Sequence, residues 1–417
     1  MSGPGSWRGV LNEYSLCPGD TREDFELAII LSVSLLIALA GCSGEGRRSR
    51  LMVRDSAGIT IVESTAAAWG EGQGWVADFS PIVDLAEAAD GPSHEFFNAT
   101  DATRLADGSF VVADDGDEEI RIFSSAGVHL RTLGRAGAGP GEFQRLDQVF
   151  ALPGDSIVAY DFWQGRLTVF TPDGAVARVV TPEGAYRPRP LVPLANGGYV
   201  GKSTDFSGFG NRRGLHRMLS PVVRLNQYGM VVDTLSTIPG GESVVFSRGD
   251  ARAMWGKNSH LAVYHDEVYL GSADSMEFQV RSPDGQLQRI VRVPGYDLTL
   301  SRAEVQAEYA AVMPDPSNAS PVLREIMELQ ADRSHRPAYS NMVIDVYGNV
   351  WLRGFQGRHE EMEPTDWYVF DVAGEWLGSV ALPPRFDVFR IGPDWILGKR
   401  PDELDIEHIQ LLQLSRS

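Results

Sequence analysis

Residues 111–127 read VVADDGDEEIRIFSSAG, and residues 158–174 read VAYDFWQGRLTVFTPDG. Laid over one another without a gap, the two stretches match at Val111 and Val158, Asp114 and Asp161, Phe123 and Phe170, and Gly127 and Gly174, at a constant offset of 47 residues. Each copy also carries an Arg shortly before the Phe, Arg121 in the first and Arg166 in the second. Self-similarity at such a period marks an array of small supersecondary units that bury their apolar faces against each other.

Two kinds of turn extend the array along the chain. The first lies between apolar strand residues, at Ala106-Asp107-Gly108, Pro153-Gly154-Asp155, Ala195-Asn196-Gly197, His265-Asp266, Tyr347-Gly348-Asn349 and Gly392-Pro393-Asp394. Asp-Gly, Asn-Gly and Gly-Asn tolerate the positive φ that tight hairpins demand. The second kind falls at Gly127, Gly174, Gly229, Gly285 and Gly374, each four residues beyond an expected strand end (Phe123, Phe170, Leu225, Arg281, Phe370). The repeated unit resembles the NHL repeat, in which a strand ends in Asp, a loop follows, and an Arg-led strand runs into an acidic-Gly turn. That resemblance implies a β-propeller. It also implies that Gly134 to Phe143, GRAGAGPGEF, is an inter-blade connection with Phe143 as a plug, not a phosphate loop, since it lacks the Lys.

Six inner turns against five outer ones fit a closed six-bladed ring whose last blade borrows a strand. The stretch Trp75 to Glu87 has no hairpin partner near it, and pairing with Ile406 to Leu414 at the C-terminus would hide both edges. An open sandwich or two smaller β domains is the other arrangement the units permit. The fold class expected is all-β, with one exception. Ser301-Arg302-Ala303-Glu304 forms a capping box, and Val305, Tyr309, Val312 and Met313 then share a helical face. A second helix opens at Ser320-Pro321 and buries Leu323, Ile326 and Met327. This two-helix insertion, about residues 298–335, falls between blades four and five and reads either as a lid over the channel mouth or as packing on a blade.

The chain begins differently. Leu27 to Ala40 is a predominantly apolar run of fourteen residues, too short for a bilayer, which needs about 20, but suited to a signal peptide. It ends Leu39-Ala40-Gly41-Cys42, which resembles the lipobox of bacterial lipoproteins. The resemblance implies lipidation of Cys42, cleavage before it, and sorting to the outer membrane facing the periplasm, since Ser43 stands where Asp would signal retention. Residues 1–41 are then signal peptide, 42–70 a linker and 71–417 the propeller. The flanking charges depart from the pattern. Arg22 is outnumbered by Asp20, Glu23, Asp24 and Glu26, while Arg47, Arg48 and Arg50 lie beyond the run, as an uncleaved anchor or a misplaced start would have it. Cys17 and Cys42 are the only cysteines, so a processed domain would hold neither thiol nor disulfide.

With 43% hydrophobic and 22% charged residues the composition is globular, and a formal charge of −19 disfavours nucleic acid as a partner. No Gly-x-Ser-x-Gly, His-Glu-x-x-His or Walker sequence occurs. Asp114, Asp115, Asp117, Glu118 and Glu119 could attract Ca²⁺, but without a binding-loop spacing they read as a solvated acidic turn. Inter-blade and second-hairpin loops share one face. They hold Arg135, Arg145, Arg187, Arg189, Arg212, Arg213, Arg217, Arg252, Arg336 and Arg358, with Phe162, Trp163, Tyr186, Phe206, Phe209, Trp255 and Phe355. Arg donors beside rigid rings suit recognition of a planar or anionic partner. Arg135, Trp163, Tyr186, Arg189, Arg213, Trp255 and Arg358 are the ligand-binding candidates. The function expected is a monomeric, non-enzymatic scaffold that binds a peptide, glycan or protein and needs no cofactor. The alternative is a hydrolase or lactonase with Ca²⁺ or another divalent metal in the channel, drawn from Asp101, Asp147, His260, Asn341, Asp345 and Asp387 on the inner strands.

Overall fold

The computed structural model describes residues 50–89, 91–182, 187–205 and 212–416. The apolar run, both cysteines, Tyr186, Phe206 and Phe209 lie outside them. The five outer-turn glycines all adopt positive φ, between 82° and 95°. A residue with a Cβ is strained there, which is why Gly recurs at that position. In each turn the Gly N–H donates to the carbonyl three residues back, as Gly127 does to Ser124 and Gly374 to Asp371, both at 2.9 Å.

These turns join strands into antiparallel sheets. The first holds Ala99–Arg104, Phe110–Asp114, Glu119–Phe123 and His129–Leu133, and the second Leu146–Ala151, Ile157–Asp161, Arg166–Phe170 and Val176–Val180. The third holds Leu191–Pro193, Tyr199–Lys202, Gly214–Leu225 and Val231–Phe246, with Gly249–Arg252 added; the fourth holds His260–Tyr264, Glu267–Gly271, Glu277–Arg281 and Leu287–Arg292. The fifth holds Tyr339–Ile344, Val350–Gly354, Thr365–Phe370 and Trp376–Leu382. The sixth takes Asp387–Ile391, Trp395–Pro401 and Glu407–Ser415 from the C-terminus, and Val76–Asp84 as its outer strand.

Among the described residues, six buried clusters lie between the sheets. Val111, Leu133 and Phe143 pack against Leu146 and Phe170 between the first and second, and comparable clusters join each later pair. The last of them, with Phe110, Phe123, Leu397 and Ile409, joins the sixth sheet back to the first. The protein is a β-propeller. Its closing pair runs antiparallel from Asp84 against Gln410 to Val76 against Ser415, the pairing expected of the Trp75 to Glu87 stretch.

The residues shared by the two sequence copies hold the inter-sheet connections. The Asp161 carboxylate ends its strand and accepts the N–H groups of Gln144 (2.6 Å), Gln164 (2.8 Å) and Arg145 (3.3 Å). Asp114 takes those of Phe97, Asn98 and Gly116 in the same way. Arg166 donates to the carbonyls of Ala138, Gly139 and Glu142, tying down the Gly-rich connection. Phe143 plugs that connection, and a Cβ on Gly134 would come within 2.3 Å of its ring.

Two expectations change. Residues 51–64, assigned to a linker, form a hairpin of Leu51–Ser56 and Ile59–Ser64 whose second strand pairs in parallel with Leu287–Arg292 of the fourth sheet. Val62 supplies the driving force, since it joins the cluster between the fourth and fifth sheets. The acidic turn is not simply solvated either. Arg121, 2% exposed, reaches into it to meet Glu119 at 2.7 Å, Asp114 at 3.6 Å, Asp117 and the Glu95 carbonyl. The carboxylates gather around a buried guanidinium, which takes the place a cation would want.

Candidate functional site

Antiparallel alternation puts the start of every inner strand, and the loop between its second and third strands, at the same end of a sheet. Within the channel, Asp101 near the start of its inner strand and Arg390 near the end of its own form a two-pronged pair, with both nitrogen–oxygen distances at 3.0 Å. Arg390 also donates to the Val149 carbonyl at 2.8 Å, so one side chain links the sixth, first and second sheets. Burial pushes the Asp101 carboxyl above its ordinary range against the pull of Arg390. Asp147 is likewise raised by burial and meets Arg189 at 2.6 Å, whose guanidinium lies over the Phe162 ring. Asp387 pairs with Arg353 at 2.6 Å.

The other inner-strand candidates do not join them. Asn341 Oδ1 accepts the Met342 N–H. Asp345 lies at the opposite end, knotted to Asn349, the Trp351 indole and Arg416. His260 Nε2 is buried without a partner, and burial, with Lys202, Arg252 and Arg217 nearby, drives its pKa down to about 3. Among the described residues, no three of these acids and the histidine come together as a metal-ligating group. The carboxylates are engaged by arginines from other sheets, so the channel reads as cross-braced by ion pairs.

Sequence reasoning missed Lys202. It is the last residue of its sheet's second strand, the place Asp114 and Asp161 hold in theirs. Buried beside the channel mouth, it donates to the Ser259 carbonyl and has no carboxylate within 4 Å among the described residues. Burial lowers its pKa to about 8. The position within the repeat was readable; the missing counter-ion was not.

The ligand-binding candidates divide into three groups. Arg135, Arg189 and Arg213 occupy loops at the expected end but are paired, with Glu142 (2.7 Å), Asp147 and Glu325. Arg217 and Arg336 are paired as well, with Asp274 and Glu304. Trp163 is 58% exposed, as a contact residue should be. Trp255 is a correction: it is 3% exposed and packs on Tyr309, so it anchors the insertion and cannot meet a ligand. Arg145, Arg187, Arg212, Arg252 and Arg358 remain. All five are exposed, and their guanidinium groups make no hydrogen bond or ion pair among the described residues.

The two helices, α1 (Arg302–Val312) and α2 (Pro321–Glu328), stand at this same end. The Ser301 capping box forms as read. The most buried residue of α1 is Glu308, however, which accepts from His359 of the fifth sheet's loop at 2.7 Å. From α2, Glu325 binds Ser247 in the turn between Val231–Phe246 and Gly249–Arg252 of the third sheet, and beyond it Arg333 meets Glu242 at 2.6 Å. The insertion is thus bolted to two sheets by polar contacts, beside the open arginines. Between the fifth and sixth sheets a polar cleft of about 520 Å³ opens on the same end, walled by Arg353, Arg358, Arg385, Lys399, Glu361 and Asp387.

No protein-family model matches the chain, and no curated protein matches it in sequence. Similar solved structures include a DUF4221 family member from Bacteroides vulgatus (8% identity, 89% of this chain and 100% of that one, TM-score 0.45). They also include a calcium-binding protein, regucalcin, from Agrobacterium tumefaciens (9%, 81% and 96%, 0.43). A gluconolactonase from Xanthomonas campestris is a third (15%, 77% and 88%, 0.39).

Proposed function

We propose that the protein is a non-enzymatic binding module of the cell envelope that takes an anionic partner at the end of the propeller where the inner strands begin. The five exposed guanidinium groups that make no hydrogen bond or ion pair among the described residues carry this reading. In a chain of formal charge −19, carboxylates to pair with them are plentiful, yet these arginines keep their donors open. Planar Arg donors suit carboxylate, sulfate or phosphate oxygens, and Trp163 adds rigid contact area. Lys202 adds positive charge at the channel mouth, with no carboxylate within 4 Å among the described residues. Each sheet is then one blade of a six-bladed ring of NHL-like units. The partner is an acidic peptide, glycan or protein, not nucleic acid. A channel hydrolase or lactonase has less support, because Asp101, Asp147 and Asp387 are each engaged by an arginine.

Screening acidic peptide and uronate or sulfated glycan arrays should yield hits that weaken with added salt. Against such a hit, the triple variant Arg187→Glu, Arg212→Glu, Arg252→Glu should bind at least about 30-fold more weakly, the size of a single hot-spot loss of about 2 kcal/mol. Its melting temperature should hold, since exposed sites shift stability by no more than about 0.5 kcal/mol. Equal binding by variant and wild type would refute the proposed face. The envelope part of the proposal has its own check. Cys42→Ser should move the protein from the membrane to the soluble fraction and abolish labelling by a fatty-acid probe. Unchanged membrane association would count against a lipid anchor.

A further inference from the structure

The seam that closes the ring holds a second cluster, apart from the arginine loops. Asp84 ends the closing strand, Glu87 follows it in the turn, and His408 and Gln410 lie on the C-terminal partner strand. Ligand atoms of Asp84, Glu87 and His408 all fall within 4.8 Å of one another. His408 Nδ1 is 2.9 Å from Asp84 Oδ2, and Gln410 Nε2 is 2.8 Å from that same oxygen. In a tetrahedral site with bonds of about 2.0 Å, ligand atoms stand roughly 3.3 Å apart. His408 and Asp84 therefore need to part by only a few tenths of an ångström to admit an ion, with the exposed Glu87 carboxylate swinging in as the third ligand.

A separate observation points to a cation. Gln410 is only 9% exposed, and its Oε1 is buried with no hydrogen-bond partner. An orphaned buried acceptor is costly. A half-turn of the amide brings Oε1 towards the Asp84 oxygen, which is repulsive unless positive charge lies between them. A cavity of about 310 Å³ adjoins the cluster, lined among others by Glu87, Arg400, Asp402, His408 and Gln410, and gives an ion a route in and room for water ligands.

We propose that Asp84, Glu87, His408 and Gln410 form a binding site for a divalent transition ion, best matched by Zn²⁺, that staples the closing strand to the C-terminal strand. An imidazole nitrogen favours Zn²⁺ over Mg²⁺ or Ca²⁺, and two carboxylates neutralise its charge. An ion on His408 Nδ1 takes the place of the proton shared with Asp84, and that proton moves to Nε2, 3.9 Å from Asp402 Oδ2. Because the ligands come from both ends of the chain, the site exists only when the ring is closed, and the ion stabilises the folded state by mass action.

The test uses the full chain without a polyhistidine tag, stripped with EDTA and titrated with ZnCl₂ by calorimetry and by thermal melting. Wild type should bind Zn²⁺ at this site and melt several degrees higher with it, while MgCl₂ has no such effect. Glu87→Gln alters an exposed side chain and should leave the metal-free melting temperature in place while weakening Zn²⁺ binding by about tenfold or more. His408→Gln should remove the Zn²⁺-dependent rise. Wild type that shows no rise with Zn²⁺ overturns the proposal, as do two variants that respond like wild type. Comparison of the variants separates this site from Zn²⁺ taken up at Cys17 or Cys42.

Discussion

Deleting residues 71–87 should cost the full chain about 5 kcal/mol or more and leave it prone to self-association. The deletion removes the sixth sheet's outer strand, whose partners run from Gln410 to Ser415, together with the Leu85 N–H bond to Ile409. It also removes Leu85, fully buried between the sixth and first sheets, and Trp75, which lies against Trp351 and under the Arg416 guanidinium. Burying a Leu is worth about 1.5–3 kcal/mol, and a large aromatic contributes at least as much. The bared edge of Glu407–Ser415 then presents unpaired amides to any passing strand. Calorimetry and light scattering read both effects. A deletion that melts with wild type and stays monodisperse would show that the ring does not depend on this seam. Removing the hairpin at residues 51–64 offers the contrast. It adds to an outer edge and buries only Ile61, Val62, Glu63 and Ser64, so the expected loss is smaller.

Arg121→Ala is expected to be the most damaging single substitution, at about 3–5 kcal/mol, because breaking a buried ion pair leaves its partner charge uncompensated. Asp114 is fully buried, and Asp117 and Glu119 crowd the same guanidinium. The Glu95 carbonyl loses its donor, and the Phe96 ring loses the cation above it at 5.5 Å. Arg121→Lys should recover part of the loss, since it keeps the charge but cannot reach four acceptors in one plane. Urea denaturation measures both. A loss under about 1 kcal/mol for Arg121→Ala would mean that the carboxylates find water or each other at little cost.

The turns and the strands were legible in the sequence because local physics dictates them, and the closing pair because the repeat array left one strand over on either side. A Gly four residues beyond a strand end forces one backbone geometry wherever it falls, and alternation of apolar residues leaves few places for a strand to lie. The capping box at Ser301 is equally local, complete within four residues. What side chains do at the site depends on partners the sequence keeps far apart. Asp101 and Arg390 are separated by 289 residues, and nothing near either announces the other. The same holds for Trp255, which looks like an exposed ring in a loop until Tyr309 of the insertion covers it. Residues 51–64 carry a hairpin turn at Ala57-Gly58, but their place on the fourth sheet follows from where that sheet's outer edge lies once the ring has closed. Which arginines gather at one end was decided by the order of strands, and could be read. Which of them remain open was decided by the tertiary structure, because a guanidinium is free only if no carboxylate from another blade arrives beside it.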